Sequence, residues 1–156
     1  MTSVFDRIKE LGFTLPDPPK AVASYIPALR VGDLIYTSGV LPMVNGELAY
    51  TKEIGGFLNS VSYGYDAAKL CVLNALSIIN DLSGLENLER IVKLTGYVHS
   101  APGFTDQPKV INGASDTLIA IFGEEGRHVR SAIGVNELPL GASVELELIV
   151  KVKQGV

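Results

Sequence analysis

Across residues 57–82 apolar side chains return at steps of three and four: Val61, Tyr65, Ala68, Val72, Ala75 and Ile79. That period predicts a long helix with one buried stripe, closed by Ser83-Gly84. A second helix is predicted over about 105–122, with Val110, Ala114, Leu118 and Ile121 inward and Gly123 as its stop. The period falls to two over residues 143–152, where Val144, Leu146, Leu148, Val150 and Val152 alternate with Glu145, Glu147 and Lys151. This is the pattern of a strand with one covered face. Residues 91–99 are rich in β-branched side chains and read as a largely buried strand, with another at 130–135. Segments 22–29 and 34–38 flank Arg30-Val31-Gly32-Asp33 as a strand pair, and Asn45-Gly46 turns between short arms at 41–44 and 47–51.

Ahead of these elements, Val4, Ile8 and Leu11 follow Thr2 and Ser3 at helical spacing, and Gly12 ends the turn. Pro16, Pro18 and Pro19 then make the chain extended. Residues 1–20 are thus expected to form a helix and a stiff proline-rich arm, and 21–156 a single domain of order βββαβαββ. The expected class is α+β, a mixed sheet with both helices on one face.

Alternation has a chemical consequence. If the apolar residues of the last strand face the helices, Glu145 and Glu147 face the other way, onto a surface that no remaining helix covers. Ile149 shares that face, and Ile35, Thr37 or their neighbours are expected to make it partly apolar. Association of copies would cover it.

Composition narrows the options. A chain of 156 residues with 47% apolar content is long enough to bury one core. Its net charge of −4 lacks the basic excess typical of nucleic-acid binding. The single Cys71 has no intrachain partner, and no charged, apolar and small signal layout opens the chain, so a cytoplasmic setting is expected. No apolar run reaches the length of a membrane span.

The candidate chemistry lies in the last third. Arg130-Ser131-Ala132 precedes Leu138-Pro139, and Glu145 follows in the final strand. A guanidinium fork suits a carboxylate, and an acid suits the steering of water. Other combinations are poorer. His99 and His128 lack metal-ligand spacing, and Cys71 sits mid-helix among apolar residues; His128, beside Arg127 and Arg130, either enters the same cleft or is a surface side chain, the simpler reading. Ser131 has no evident base, and the glycine pairs lack phosphate-loop flanks, so no cofactor is indicated.

Three segments in order carry a resemblance. Tyr25 with residues 28–39 (ALRVGDLIYTSG), Asn112-Gly113-Ala114-Ser115-Asp116, and residues 130–152 (RSAIGVNELPLGASVELELIVKV) resemble the RidA (YjgF) family over about 22–152. The resemblance implies a chorismate-mutase-like fold, a homotrimer whose sheet faces form a barrel, and sites in the clefts between subunits. It also implies that Arg130 holds a substrate carboxylate and that Glu145 positions or deprotonates the hydrolytic water, with Glu147 as the rival acid. Tyr25 would line the pocket, Ser38 and Gly39 its floor, with Ser131 and Ala132 beside it; Asn112 would support the helix start. The implied reaction is hydrolysis of reactive 2-imino acids to 2-keto acids and ammonia, without a cofactor, nucleic acid or membrane as partner. A non-catalytic carboxylate-binding trimer and an endoribonuclease, after the family's older name, remain open as alternatives. Ala132 stands where typical deaminating members carry cysteine, Val22-Ala23-Ser24 replaces their usual Ile-Gly-Pro, and segment 122–129 differs in length, all of which point to a divergent branch.

Overall fold

The computed structural model describes residues 1–20 and 23–156. Helix α1 (Val4–Glu10) starts with a capping box: Ser3 accepts from the Asp6 amide, and the Asp6 carboxylate accepts from the Ser3 amide. Seven residues are too few for a stable isolated helix, and docking supplies the difference. Ile8 is buried, Phe13 and Leu15 pack on the core, and Ser77 donates to the Pro16 carbonyl. The proline-rich arm therefore lies along the second helix instead of standing away from the domain.

Strands β1 (Ala28–Val31) and β2 (Leu34–Thr37) form a hairpin whose turn is Gly32-Asp33 alone; Arg30 and Val31 belong to the strand. The expected strand over 22–29 starts only at Ala28. Val22 lies outside the described residues, and Ala23 to Tyr25 form a bend ahead of Pro27. β3 (Met43–Val44) and β4 (Glu47–Leu48) make a separate two-stranded ribbon around Asn45-Gly46. Helix α2 (Val61–Ser83) stops at Gly84 as expected, but it starts four residues later than residue 57, because Phe57 and Leu58 lie in a turn and the Ser60 hydroxyl caps the helix. Strand β5 (Leu88–His99) starts earlier than residue 91 because Leu88 and Arg90 pair with Val152 and Lys151. A bulge near Val92 lets both Ile91 and Leu94 face the core. Helix α3 (Gln107–Phe122), β6 (Val129–Val135) and β7 (Val144–Val152) complete the fold.

The five-stranded sheet has the order β1-β2-β7-β5-β6. Only β5 and β6 are parallel, joined through α3 as a crossover unit. Helices α2 and α3 pack side by side on one face, over Ile35, Leu94, Leu146, Leu148 and Val150. Two glycines let α3 come close. A Cβ at Gly113 would overlap the Tyr65 carbonyl of α2, and one at Gly96 would press on Ile111. This is the expected α+β architecture with both long helices on one face.

Among the described residues no helix covers the other face, but two of the side chains expected there differ. Ile35 and Thr37 point to the helix side and are buried. Their neighbour Tyr36 faces outward with Leu29, Val31, Ile133 and Val129, all of them exposed. The register of the hairpin decides this, because Tyr36 aligns with Leu29 and with Ile149.

Candidate functional site

Glu145 and Glu147 lie on the open face of β7, between buried Val144, Leu146 and Leu148. Glu145 aligns with Tyr97 of β5, which aligns with Ile133 of β6; Glu147 aligns with Thr95 and then with Ser131. Partial burial, with the Glu147 charge adding to it, raises the Glu145 pKa. Tyr97 donates to Glu147 at 3.3 Å, and burial with the adjacent carboxylates raises its pKa in turn. Glu147 is thereby engaged with a hydroxyl, whereas Glu145 is the carboxylate inclined to hold a proton.

Gly39 sits directly under Glu145. A Cβ there would overlap the Glu145 carboxylate, so the missing side chain is room for the acid as much as for any ligand. The chain bulges at this point. Tyr36 pairs with Ile149, but the next bridge on that side is Val40 with Leu146, and the Thr37 hydroxyl accepts from the Leu148 amide between them. Ser38 donates from its hydroxyl to the Ile26 carbonyl at 2.6 Å and from its amide to the Pro27 carbonyl at 2.8 Å. Those two bonds hold Tyr25 and its neighbours against the end of β2. Tyr25, Ser38 and Gly39 then line a cavity of about 160 Å³, closed by Leu41, Met43, Ile78 and Leu140 and reached by Lys20 of the arm. Its walls are mainly apolar.

Arg130 stands elsewhere. It aligns with Leu94, a core residue, so its side chain leaves β6 on the helix side of the sheet. One terminal nitrogen donates to Ser115 Oγ at 3.0 Å, and the other to the Pro108 carbonyl at 3.2 Å, both on α3. Glu145 is on the opposite face and two strands away, about 10 Å across the sheet. Within one chain the fork and the acid do not meet. Ser131 shares the open face with Glu147, while Ala132 packs on the helix side beside Gly96. Asn112 is exposed in the second turn of α3, after the N-terminal position at Asp106 and after Pro108, and so does not serve the helix start.

The structure also brings Ser115, to which the sequence gives no role, together with His128. Ser115 Oγ lies 2.9 Å from His128 Nε2, and His128 Nδ1 lies 2.6 Å from the Gly126 carbonyl. His128 is a half-buried partner of this cluster and not the surface side chain that is the simpler expectation. One signal was available: His128 and Arg130 are two residues apart at the start of a strand and so project to one side. Arg127 pairs with Glu124 at the surface. Cys71 is fully buried and close to the Val144 carbonyl, and burial lifts its thiol pKa well above the ordinary value. Among the described residues no three metal-binding side chains converge, and no helix is long and apolar enough to cross a membrane.

A mixed five-stranded sheet with two long helices on one face places the chain in the α+β class. The chain belongs to the YjgF family: its residues 6–151 match the family model described as "YjgF/chorismate_mutase-like, putative endoribonuclease". The matched span includes most of α1 and the arm. Protein TCP17 of Trypanosoma cruzi is 38% identical over 147 residues, which cover 93% of this chain and 91% of that one. Among solved structures, the Agrobacterium tumefaciens protein Atu1372, of unknown function, is 41% identical with a TM-score of 0.89, covering 96% of this chain and 92% of its own. A Shewanella oneidensis chain described as a "putative endoribonuclease" is 32% identical with a TM-score of 0.91, covering 96% and 99%.

Proposed function

We propose that this protein hydrolyses reactive 2-imino acids to 2-keto acids and ammonia, at sites completed between copies of the chain in a homotrimer. The observation that carries the reading is Glu145: a half-buried carboxylate with a raised pKa, seated on Gly39 beside the apolar cavity of Tyr25 and Ser38. A carboxylate moved toward neutrality is suited to take a proton from an attacking water and return it to the departing amine. The separation of Arg130 from Glu145 supports a composite site, because only an arginine from a second copy would lie beside this cavity. A three-fold arrangement burying Leu29, Tyr36, Ile133 and Val129 would also remove an exposed apolar face. In this scheme the Arg130 guanidinium holds the substrate carboxylate, the cavity takes a small aliphatic side chain, and the acid orients water toward the imine carbon. The imine is already electrophilic, so positioning supplies most of the effect.

The test generates 2-iminopropanoate and 2-iminobutanoate in place with an amino-acid oxidase and follows their loss. Wild type should accelerate it; Glu145→Gln should lower kcat by about 100-fold or more, and Arg130→Ala should act mainly through KM. No acceleration over buffer at high protein concentration would overturn the reading. Cleavage of RNA in a parallel assay, abolished by the same substitutions, would replace it with the nuclease one.

A further inference from the structure

We infer that Ser115 and His128 are positioning residues for Arg130, forming a polarised relay from the Gly126 carbonyl that sets the direction of the carboxylate-holding guanidinium. The inference rests on the proposed role of Arg130.

The direction of each hydrogen bond follows from what the groups can do. Arginine only donates, so Ser115 Oγ accepts from Arg130. A hydroxyl has one proton, and with Arg130 as donor the remaining contact of Ser115 is His128 Nε2 at 2.9 Å, which therefore accepts. The other ring nitrogen then carries the proton, in keeping with the 2.6 Å approach of Nδ1 to the Gly126 carbonyl. The four groups are thus Gly126 C=O, His128, Ser115 and Arg130, with every donor pointing one way. The Pro108 carbonyl fixes the second terminal nitrogen at 3.2 Å. Two contacts use two of the five guanidinium N–H groups, and the others remain for a ligand.

Burial and the Arg130 charge lower the His128 pKa, against the pull of the Gly126 carbonyl. The other charges near this segment are engaged: Glu124 with Arg127 at 3.0 Å, and Glu125 with Arg90 of β5 at 3.3 Å. From α3 the group facing His128 is the uncharged Ser115. A proton arriving at Nε2 would turn that acceptor into a donor. Ser115 would then have two cationic donors on one oxygen and no partner for its own hydrogen, and the guanidinium would lose its defined seat.

The experiment measures KM and kcat for imine hydrolysis against pH in wild type, Ser115→Ala, His128→Ala and His128→Gln, with Arg130→Ala as reference. Ser115→Ala and His128→Ala should raise KM about tenfold and leave kcat within about twofold. Wild-type KM should climb as pH falls below the ordinary histidine range near 6.5. His128→Gln, whose amide oxygen can still accept from Ser115, should restore KM and abolish that climb. The Arg130 Nε–H resonance, sharp in wild type and broadened in Ser115→Ala, reads the same ordering without turnover. Unchanged KM and an unchanged resonance in both alanine variants, with KM raised by Arg130→Ala, would overturn the relay alone. An Arg130→Ala variant with wild-type KM would remove the role of Arg130 on which the relay depends.

Discussion

Gly39 and Glu145 show how much one contact changes the meaning of a residue. A glycine after Thr-Ser suggests backbone left open for a ligand, yet in the fold the open space is shared with a carboxylate, because the register against β7 slips by one residue between Tyr36 and Val40. The bulge at Ser38-Gly39 brings them together. That seat has a thermodynamic signature. Glu145 binds its proton more tightly in the folded state than in the unfolded one, so its contribution to stability is largest in acid and is lost as pH rises through its raised folded value. Glu145→Gln should therefore melt at a higher temperature than wild type near pH 7, and the gain should shrink as pH falls toward the ordinary glutamate value of 4.5. Calorimetry of both proteins over that range checks the sign; a lower melting temperature for the variant at pH 7 would contradict it.

At the scale of elements, α3 decides where the candidate groups go. The apolar residues of β6, Val129, Ile133 and Val135, alternate with Arg130, Ala132 and Gly134, and a sequence pattern alone would bury the first set. The fold exposes Val129 and Ile133, because α3 lies too close to β6 for anything larger than Ala132 and Gly134 along most of the strand. A Cβ at Gly134 would press on Gln107 Nε2, and Arg130 escapes only at the end, where Ser115 and Pro108 receive it. The same closeness explains Gly113, whose absent side chain admits the Tyr65 carbonyl of α2. Gly113→Ala would force two backbones apart, so urea unfolding should show a loss of about 1–3 kcal/mol, although alanine has the better helix propensity. A gain in stability would show that the two helices can separate freely.

For the whole molecule, the consequence is that the candidate site is divided. Arg130 faces the helices at one edge of the sheet, Glu145 faces outward in its middle, and the Tyr25 cavity opens at the end of β2. A divided site makes a prediction that an intact one does not. Arg130→Ala and Glu145→Gln chains, each strongly impaired at substrate concentrations well below the KM of Arg130→Ala, should regain about a quarter of wild-type imine hydrolysis under those conditions when unfolded and refolded together at equal amounts. Each complete site would then draw its arginine and its acid from different chains. Failure of the mixture, with both variants folded and associated, would place the two groups in one chain's site and contradict the arrangement proposed here.

Much of this was legible in order. The step of three or four in α2 and α3 and the step of two in β7 follow directly from where apolar residues fall, since helix and strand present their side chains at those periods. The same alternation puts Glu145 and Glu147 on the uncovered face. The three segments carrying Tyr25, Asn112 and Arg130 likewise marked out the family. What the sequence could not carry was register between distant strands and the spacing of layers. Whether Tyr36 or Ile35 faces outward depends on a two-residue turn, and whether Arg130 meets Glu145 depends on the parallel pairing of β5 with β6 under α3. The Ser115 and His128 seat of Arg130 depends on that packing too. Periodicity is a property of each segment alone, so the chain determined which side chains each element offers; pairing and packing join segments far apart in sequence, so only the tertiary structure decided which of them meet.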